Sequence, residues 1–162
     1  MASKMGVSKM ATKNAKPIAY FSRRYHFSAS HRLHTDAYDA EKNRAAYGKC
    51  NNPFGHGHNY VVQVTLRGPI DPVTGMVCDL GALDTFARTN LLARFDHVNL
   101  NTLECFADKV STTENLAVEV HRIFAGFTLA KLDRVHVEET SNNSFDYLGS
   151  DRQPDSLVLQ RF

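Results

Sequence analysis

The sequence predicts an α+β fold, one antiparallel sheet backed by helices on one face. Three observations point to it. The chain begins with two long stretches in which apolar and polar residues alternate, and it closes with two shorter ones. Between them lie two stretches whose apolar residues recur at helical spacing. The resulting order is ββααββ. At 162 residues the chain fits a single domain with a sizeable core.

Residues 1–17 hold lysines and small residues but no acid, and read as a disordered tail. An organellar transit peptide would favour arginine, which is missing there. The folded domain is expected over 18–149. From Ile18 the first strand puts Ala19, Phe21, Tyr25, Phe27, Ala29 and Leu33 on one face, interrupted by Arg23 and joined by His31. Thr35 to Tyr47 is polar and irregular, a loop or short helical turn. The second strand, His56 to Leu66, aligns His56, His58, Tyr60, Val62, Val64 and Leu66. Residues 68–76 form a turn-rich connection. Asp79 can then cap a helix carrying Leu80, Leu83, Ala87, Leu91 and Phe95. Ser111-Thr112-Thr113-Glu114 reads as a capping box before Leu116, Val120, Ile123 and Phe127. Arg134 to Thr140 alternates again, with Val135, Val137 and Glu139 on one side, and Ser144 to Leu148 forms the last short strand. Residues 150–162 are a C-terminal extension whose SLVLQRF either adds an edge strand or stays loose.

A hydrophobic fraction of 43% and a charged fraction of 22% are ordinary for a soluble globular protein. A formal charge of +2 is too mild to argue for nucleic acid, and no apolar run reaches the length of a membrane span. Three cysteines, Cys50, Cys78 and Cys105, make no even-numbered framework, which favours a reducing, cytoplasmic setting.

The chemistry concentrates in KCNNPFGHGHNY, residues 49–60. On a strand His56 and His58 point the same way, about 7 Å apart at their Cα atoms. That is a reach at which two imidazoles can share one zinc, at about 2.0–2.1 Å from each nitrogen. If the first two strands pair antiparallel, His31 arrives beside them at one rim of the core. Three protein ligands leave a position for water or substrate, the catalytic pattern of zinc, although imidazoles also suit iron and copper. Cys50 follows Lys49 and precedes a polar loop near this cation, a setting that favours the thiolate. Asp96-His97 follows a helix, where a cation also suits the helix end. Glu139 closes a Val-x-Val core row and must find a partner, either N–H groups of a heterocyclic ligand or an arginine. His26, His34, His121 and His136 read as solvated or structural, and Glu114 as a capping residue.

FSASHRL (27–33), GKCNNPFGHGHNY (48–60), DHVNL (96–100), STTEN (111–115) and EETSNN (138–143) resemble, in matching order, the 6-pyruvoyltetrahydropterin synthase family. The resemblance covers roughly residues 20–149. It implies a tunnelling fold (T-fold): a four-stranded antiparallel sheet with two helices on one face, closed into a trimeric barrel and stacked as a homohexamer. By position it implies His31, His56 and His58 as Zn2+ ligands and Cys50 as the catalytic thiol. It also implies Asp96 and His97 as an activating pair from an adjacent subunit, and Glu139 as a catalytic-site, substrate-binding residue that anchors a pterin. The implied reaction converts the small molecule 7,8-dihydroneopterin triphosphate to 6-pyruvoyl-tetrahydropterin and inorganic triphosphate, a lyase step of tetrahydrobiopterin biosynthesis without nucleic-acid or membrane partners. Lys49, Arg23 and Arg24 are candidates to meet the triphosphate. Phe54 and Phe95 depart from the family's usual residues, and both ends extend beyond its core.

Rival readings are a 6-carboxytetrahydropterin synthase of deazapurine biosynthesis, a zinc hydrolase and a non-catalytic pterin- or metal-binding module. The first tends to have a shorter gap than the five residues between Cys50 and His56.

Overall fold

A computed structural model of the chain describes residues 16–150. The tail expected over 1–17 and the extension expected over 150–162 lie, but for residues 16, 17 and 150, outside them. The strands β1 (Ile18–His31), β2 (His56–Pro69), β4 (Lys131–Thr140) and β5 (Asn143–Tyr147) are neighbours in that order, each pair antiparallel. A fifth strand, β3 (Val98–Asn99), extends this arrangement. It lies parallel to β1 at Ala29 and Ser30, giving the order β3-β1-β2-β4-β5. Two residues of DHVNL thus become sheet, a segment too short to show alternation.

The helices pack on one face. Asp79 caps α2 (Leu80–Ala87), its carboxylate accepting from Ala82 N–H. The helix then runs through a π-turn (Arg88–Leu92) into a last turn, α3 (Ala93–Phe95). Leu83, Ala87, Leu91 and Phe95 are fully buried, as the spacing predicts, whereas Leu80 is exposed. In α4 (Thr113–Phe124) Leu116, Ala117, Val120 and Phe124 face the sheet. The N-cap is Thr112, accepting from Asn115 N–H, not Ser111 as the capping-box pattern suggests. Ser111 is instead buried, its carbonyl turned to His31.

On the sheet side the core takes Tyr25, Phe27 and Ala29 from β1, Tyr60 to Leu66 alternately from β2, and Val135 and Val137 from β4. Aromatic contacts join the layers: Tyr25 stacks on Phe124 at 6.1 Å and Phe27 on Phe95 at 5.9 Å between centroids. Rings in this range add about 0.5–1.5 kcal/mol beyond the area they bury.

The stretch read as a loop or helical turn contains a helix, α1 (Ala40–Tyr47), capped by Asp39 and ended by Gly48. Gly48 has φ +53°, a left-handed conformation that favours glycine at a helix end. A 3₁₀ turn, Gly48–Asn51, then carries Cys50 back toward the sheet, where its carbonyl accepts from Leu33 N–H at 2.8 Å.

Candidate functional site

Antiparallel pairing of β1 and β2 sets His31 opposite His56 and Ala29 opposite His58. Directly opposed side chains on one face of a sheet lie about 4.5–5.5 Å apart at Cβ, and diagonal ones remain within reach of a ring. Alternation turns all three imidazoles to the helix side of the rim. Their centroids stand 4.6 Å (His31–His56), 4.8 Å (His56–His58) and 5.2 Å (His31–His58) apart. One ring nitrogen from each falls within 4.8 Å of the others.

The protonation pattern suits a cation. His31 Nδ1 lies 2.7 Å from the Ser111 carbonyl, which can only accept, so Nδ1 carries the proton and Nε2 offers its lone pair. Such a bond fixes tautomer and ring orientation, as it does behind metal-binding histidines. His31 Nε2 approaches His56 Nε2 at 3.1 Å. His56 Nδ1 and His58 Nε2 are buried without a hydrogen-bond partner among the described residues. Burial, the largest influence on each ring, pushes all three imidazoles below their ordinary value. The neutral form they favour is the one a metal requires. Nitrogens sharing one tetrahedral zinc lie roughly 3.4 Å apart. The His31–His56 spacing is close to this, and all three nitrogens lie within 4.8 Å of one another. The residues present fit a metal ion.

Glu139 joins them. Its pairing with β5 is interrupted, the register shifting between Glu138 and Thr140. Irregularities of this kind re-aim side chains. Glu139 Oε1 accepts from Thr113 Oγ1 at 2.6 Å and lies 3.6 Å from His31 Nε2 and 3.7 Å from His58 Nε2. Its partners are therefore a hydroxyl and the imidazoles, not an arginine of the chain. Thr113 escapes a sequence reading that sees only a helix start, and so does Ser111, whose contribution is a carbonyl. Tyr60 completes the floor, its hydroxyl 3.5 Å from His31 Nδ1.

Cys50 is half-buried and electrostatically coupled to Glu139 and Tyr60, on the same rim. Burial first, and the Glu139 carboxylate second, push its thiol above the ordinary value. The thiolate-favouring setting inferred from Lys49 is not what the chain itself provides. A cation at the histidines acts in the opposite direction.

Asp96 and His97 sit apart, on the outer edge of β1. Asp96 Oδ1 accepts from Ser28 N–H at 2.9 Å and lies 2.9 Å from His97 Nδ1. The Ser28 bond is the leading reason the Asp96 carboxyl lies below its ordinary value. His97 N–H donates to Ser28 O at 2.6 Å, and the residue adopts φ +58°, unusual for a side chain larger than glycine. The imidazole is 81% exposed, and no contact joins it to Cys50 among the described residues. It borders a cleft of about 400 Å3 that also takes in His58, Asn59 and Ser28.

Of the cations expected to meet a triphosphate, Arg23 is paired to Asp84 at 2.7 Å and Arg24 to Glu138 at 2.9 Å. Lys49 has no ion-pair partner among the described residues. His34 accepts from Asn51, His121 packs edge-on against Tyr147, and His136 lies between Glu138 and Asp146, as structural or solvated histidines do.

A helix-backed sheet whose rim gathers three imidazoles, a carboxylate and a thiol defines an α+β domain with a histidine cluster that could hold a metal ion. The chain belongs to the 6-pyruvoyl tetrahydropterin synthase family, whose model matches residues 20–150. The 6-pyruvoyl tetrahydrobiopterin synthase of Poecilia reticulata is 47% identical over 137 residues, covering 83% of this chain and 93% of the relative. The Homo sapiens protein of that name is 47% identical over 133 residues, covering 81% and 92%. The solved structure of Caenorhabditis elegans 6-pyruvoyl tetrahydropterin synthase superposes with a TM-score of 0.79 at 42% identity, covering 83% of this chain and 98% of that one.

Proposed function

We propose that this protein is a zinc-dependent lyase that converts 7,8-dihydroneopterin triphosphate to 6-pyruvoyl-tetrahydropterin and inorganic triphosphate in tetrahydrobiopterin biosynthesis. The observation that carries the proposal is the His31–His56–His58 cluster meeting Glu139 and the Cys50 rim in a chain of this family. Bound there, zinc supplies Lewis acidity to the substrate's side-chain hydroxyls, acidifies the adjoining C–H and favours the Cys50 thiolate.

Cys50 then takes the carbon-bound proton. The C–H electron pair becomes the C=C bond of an enol, and the C–O bond breaks with its pair leaving on triphosphate. Rearrangement of the remaining side-chain alcohol and the pterin ring needs no outside oxidant or reductant. Glu139, held by Thr113, anchors the pterin and fixes its register against the thiol. Asp96 orients His97, which tunes a Cys50 of a neighbouring subunit. This last role is supported by the exposure of His97 and its lack of contact with Cys50 within the chain.

The assembly we propose is a homohexamer, a dimer of trimers, in the cytoplasm. No helix among the described residues is long and apolar enough to cross a membrane. The test is incubation with dihydroneopterin triphosphate and zinc, with products identified by mass. Triphosphate release with a retained three-carbon side chain is expected. Release of acetaldehyde would assign the chain to 6-carboxytetrahydropterin chemistry instead.

A further inference from the structure

Beside the Cys50 turn lies a hollow of about 790 Å3, walled by Arg32, Arg44 and Lys49 with Ala40, Gly48 and Asn52 between them. Ala40, Arg44 and Gly48 fall at i, i+4 and i+8, so one face of α1 lines it, with small residues on either side of the arginine. The left-handed turn at Gly48 folds the chain back and brings Lys49 to the same space. Arg32 enters from beyond β1, its Nε donating to the Asn51 carbonyl at 3.2 Å and its Nη2 lying 3.3 Å from His34 Nδ1. A guanidinium has five N–H groups, so those two contacts leave donors to spare.

The charges around the hollow are of one sign. Arg23, Arg24, Arg67, Lys109, Arg122 and Arg134 each meet a carboxylate. Arg32, Arg44 and Lys49 have no carboxylate partner among the described residues, and no acid lines the hollow. Three uncompensated cations facing one concavity raise its potential and draw multiply charged anions.

We propose that this hollow is the polyphosphate subsite: Arg32, Arg44 and Lys49 hold the triphosphate of the substrate and receive it as it leaves. The assignment rests on the lyase reading. It adds that the leaving group lies on the α1 side of Cys50, not over the Arg23 and Arg24 face. Lys49 precedes the thiol in sequence, so the base and the receptor for the departing anion share one 3₁₀ turn. An elimination requires this closeness, because the C–H and C–O bonds that break are on neighbouring carbons.

The probe is inorganic triphosphate, titrated calorimetrically into the full chain, with unphosphorylated neopterin as the second ligand. Arg44→Glu and Lys49→Gln are each expected to weaken triphosphate binding about tenfold or more, since each removes a charge-assisted bond. Neopterin affinity should stay within about twofold, and KM for the pterin triphosphate should rise. Lys131→Glu, at the opposite end of β4, is the control for general charge and should change nothing. Arg44→Gln replaces Arg44→Glu if the latter does not fold. Unchanged triphosphate affinity in both hollow variants, equal weakening in Lys131→Glu, or no binding by the unaltered chain would overturn the proposal. Triphosphate binding lost in the hollow variants, from a chain that turns over no pterin triphosphate, would sink the lyase reading and leave the subsite standing.

Discussion

His31 is fixed at its Nδ1 by the Ser111 carbonyl and faces the other two rings through Nε2, so each imidazole at the rim has a defined job. Removing one ring takes away one of the three proposed ligands. His56→Ala or His58→Ala should abolish stoichiometric metal, read by elemental analysis. Cys50→Ala should keep full metal content while turnover falls by about 10²–10⁴, the scale of a lost general base. Loss of metal in that variant would show the sulfur to be a ligand. The histidines were legible in the sequence because alternation alone decides which way a strand residue points. Ser111 and Thr113 were not. One contributes a backbone carbonyl that any residue possesses, and the other a hydroxyl already explained by its place at a helix start. At Cys50 the adjacency of Lys49 is visible in the sequence, whereas the burial and the Glu139 carboxylate that push the thiol up come from the fold, and a cation at the histidines acts against them.

Among the elements, α1 shows how a helix can hide from periodicity. Its buried residue is Asn43, whose amide donates to the carbonyls of Thr35, Tyr38 and Asp39 while its oxygen accepts from Thr35 N–H. With a polar plug in place of an apolar stripe, there was no pattern to find. The helices α2 and α4 bury apolar rows: the spacing found Leu83, Ala87, Leu91, Phe95, Leu116 and Val120, but not Ala117 and Phe124, and it placed Phe127 in a helix that ends at Phe124. Thr112→Ala should cost about 1 kcal/mol by denaturant melt, the usual value of an N-cap. Gly55 has φ +70°, and a Cβ there would stand 2.9 Å from the His31 carbonyl oxygen. Gly55→Ala therefore should push β1 and β2 apart at the rim and reduce metal affinity along with stability. Within α4, burial favours a neutral Glu119, but bonds and charge from Lys109 and Arg122 prevail and hold its carboxyl below the ordinary value. The unfolded chain then binds the proton more readily. The Glu119 contribution is complete above the unfolded value of about 4.3 and disappears as pH falls through the lower folded one. Glu119→Gln should flatten that part of the stability profile in acid.

For the whole molecule, the open edges of the sheet matter most. Among the described residues, β3 covers β1 at Ala29 and Ser30 and leaves most of that long strand without a partner on its outer side, and β5 ends the other edge. Unpaired strand edges invite another chain. Light scattering should give a mass near six protomers. Verified mixed oligomers of Cys50→Ala and His97→Ala chains should regain activity that neither has alone; no recovery would count against a site shared between subunits. The opposition of His31 and His56 carries one more consequence. A sheet mispaired by a single residue sends an entire strand's side chains to the wrong face, so a wrongly threaded copy has no place to hold an ion. Metal stoichiometry in a purified batch is thus a proofreading signal: it counts the molecules whose two longest strands found each other correctly.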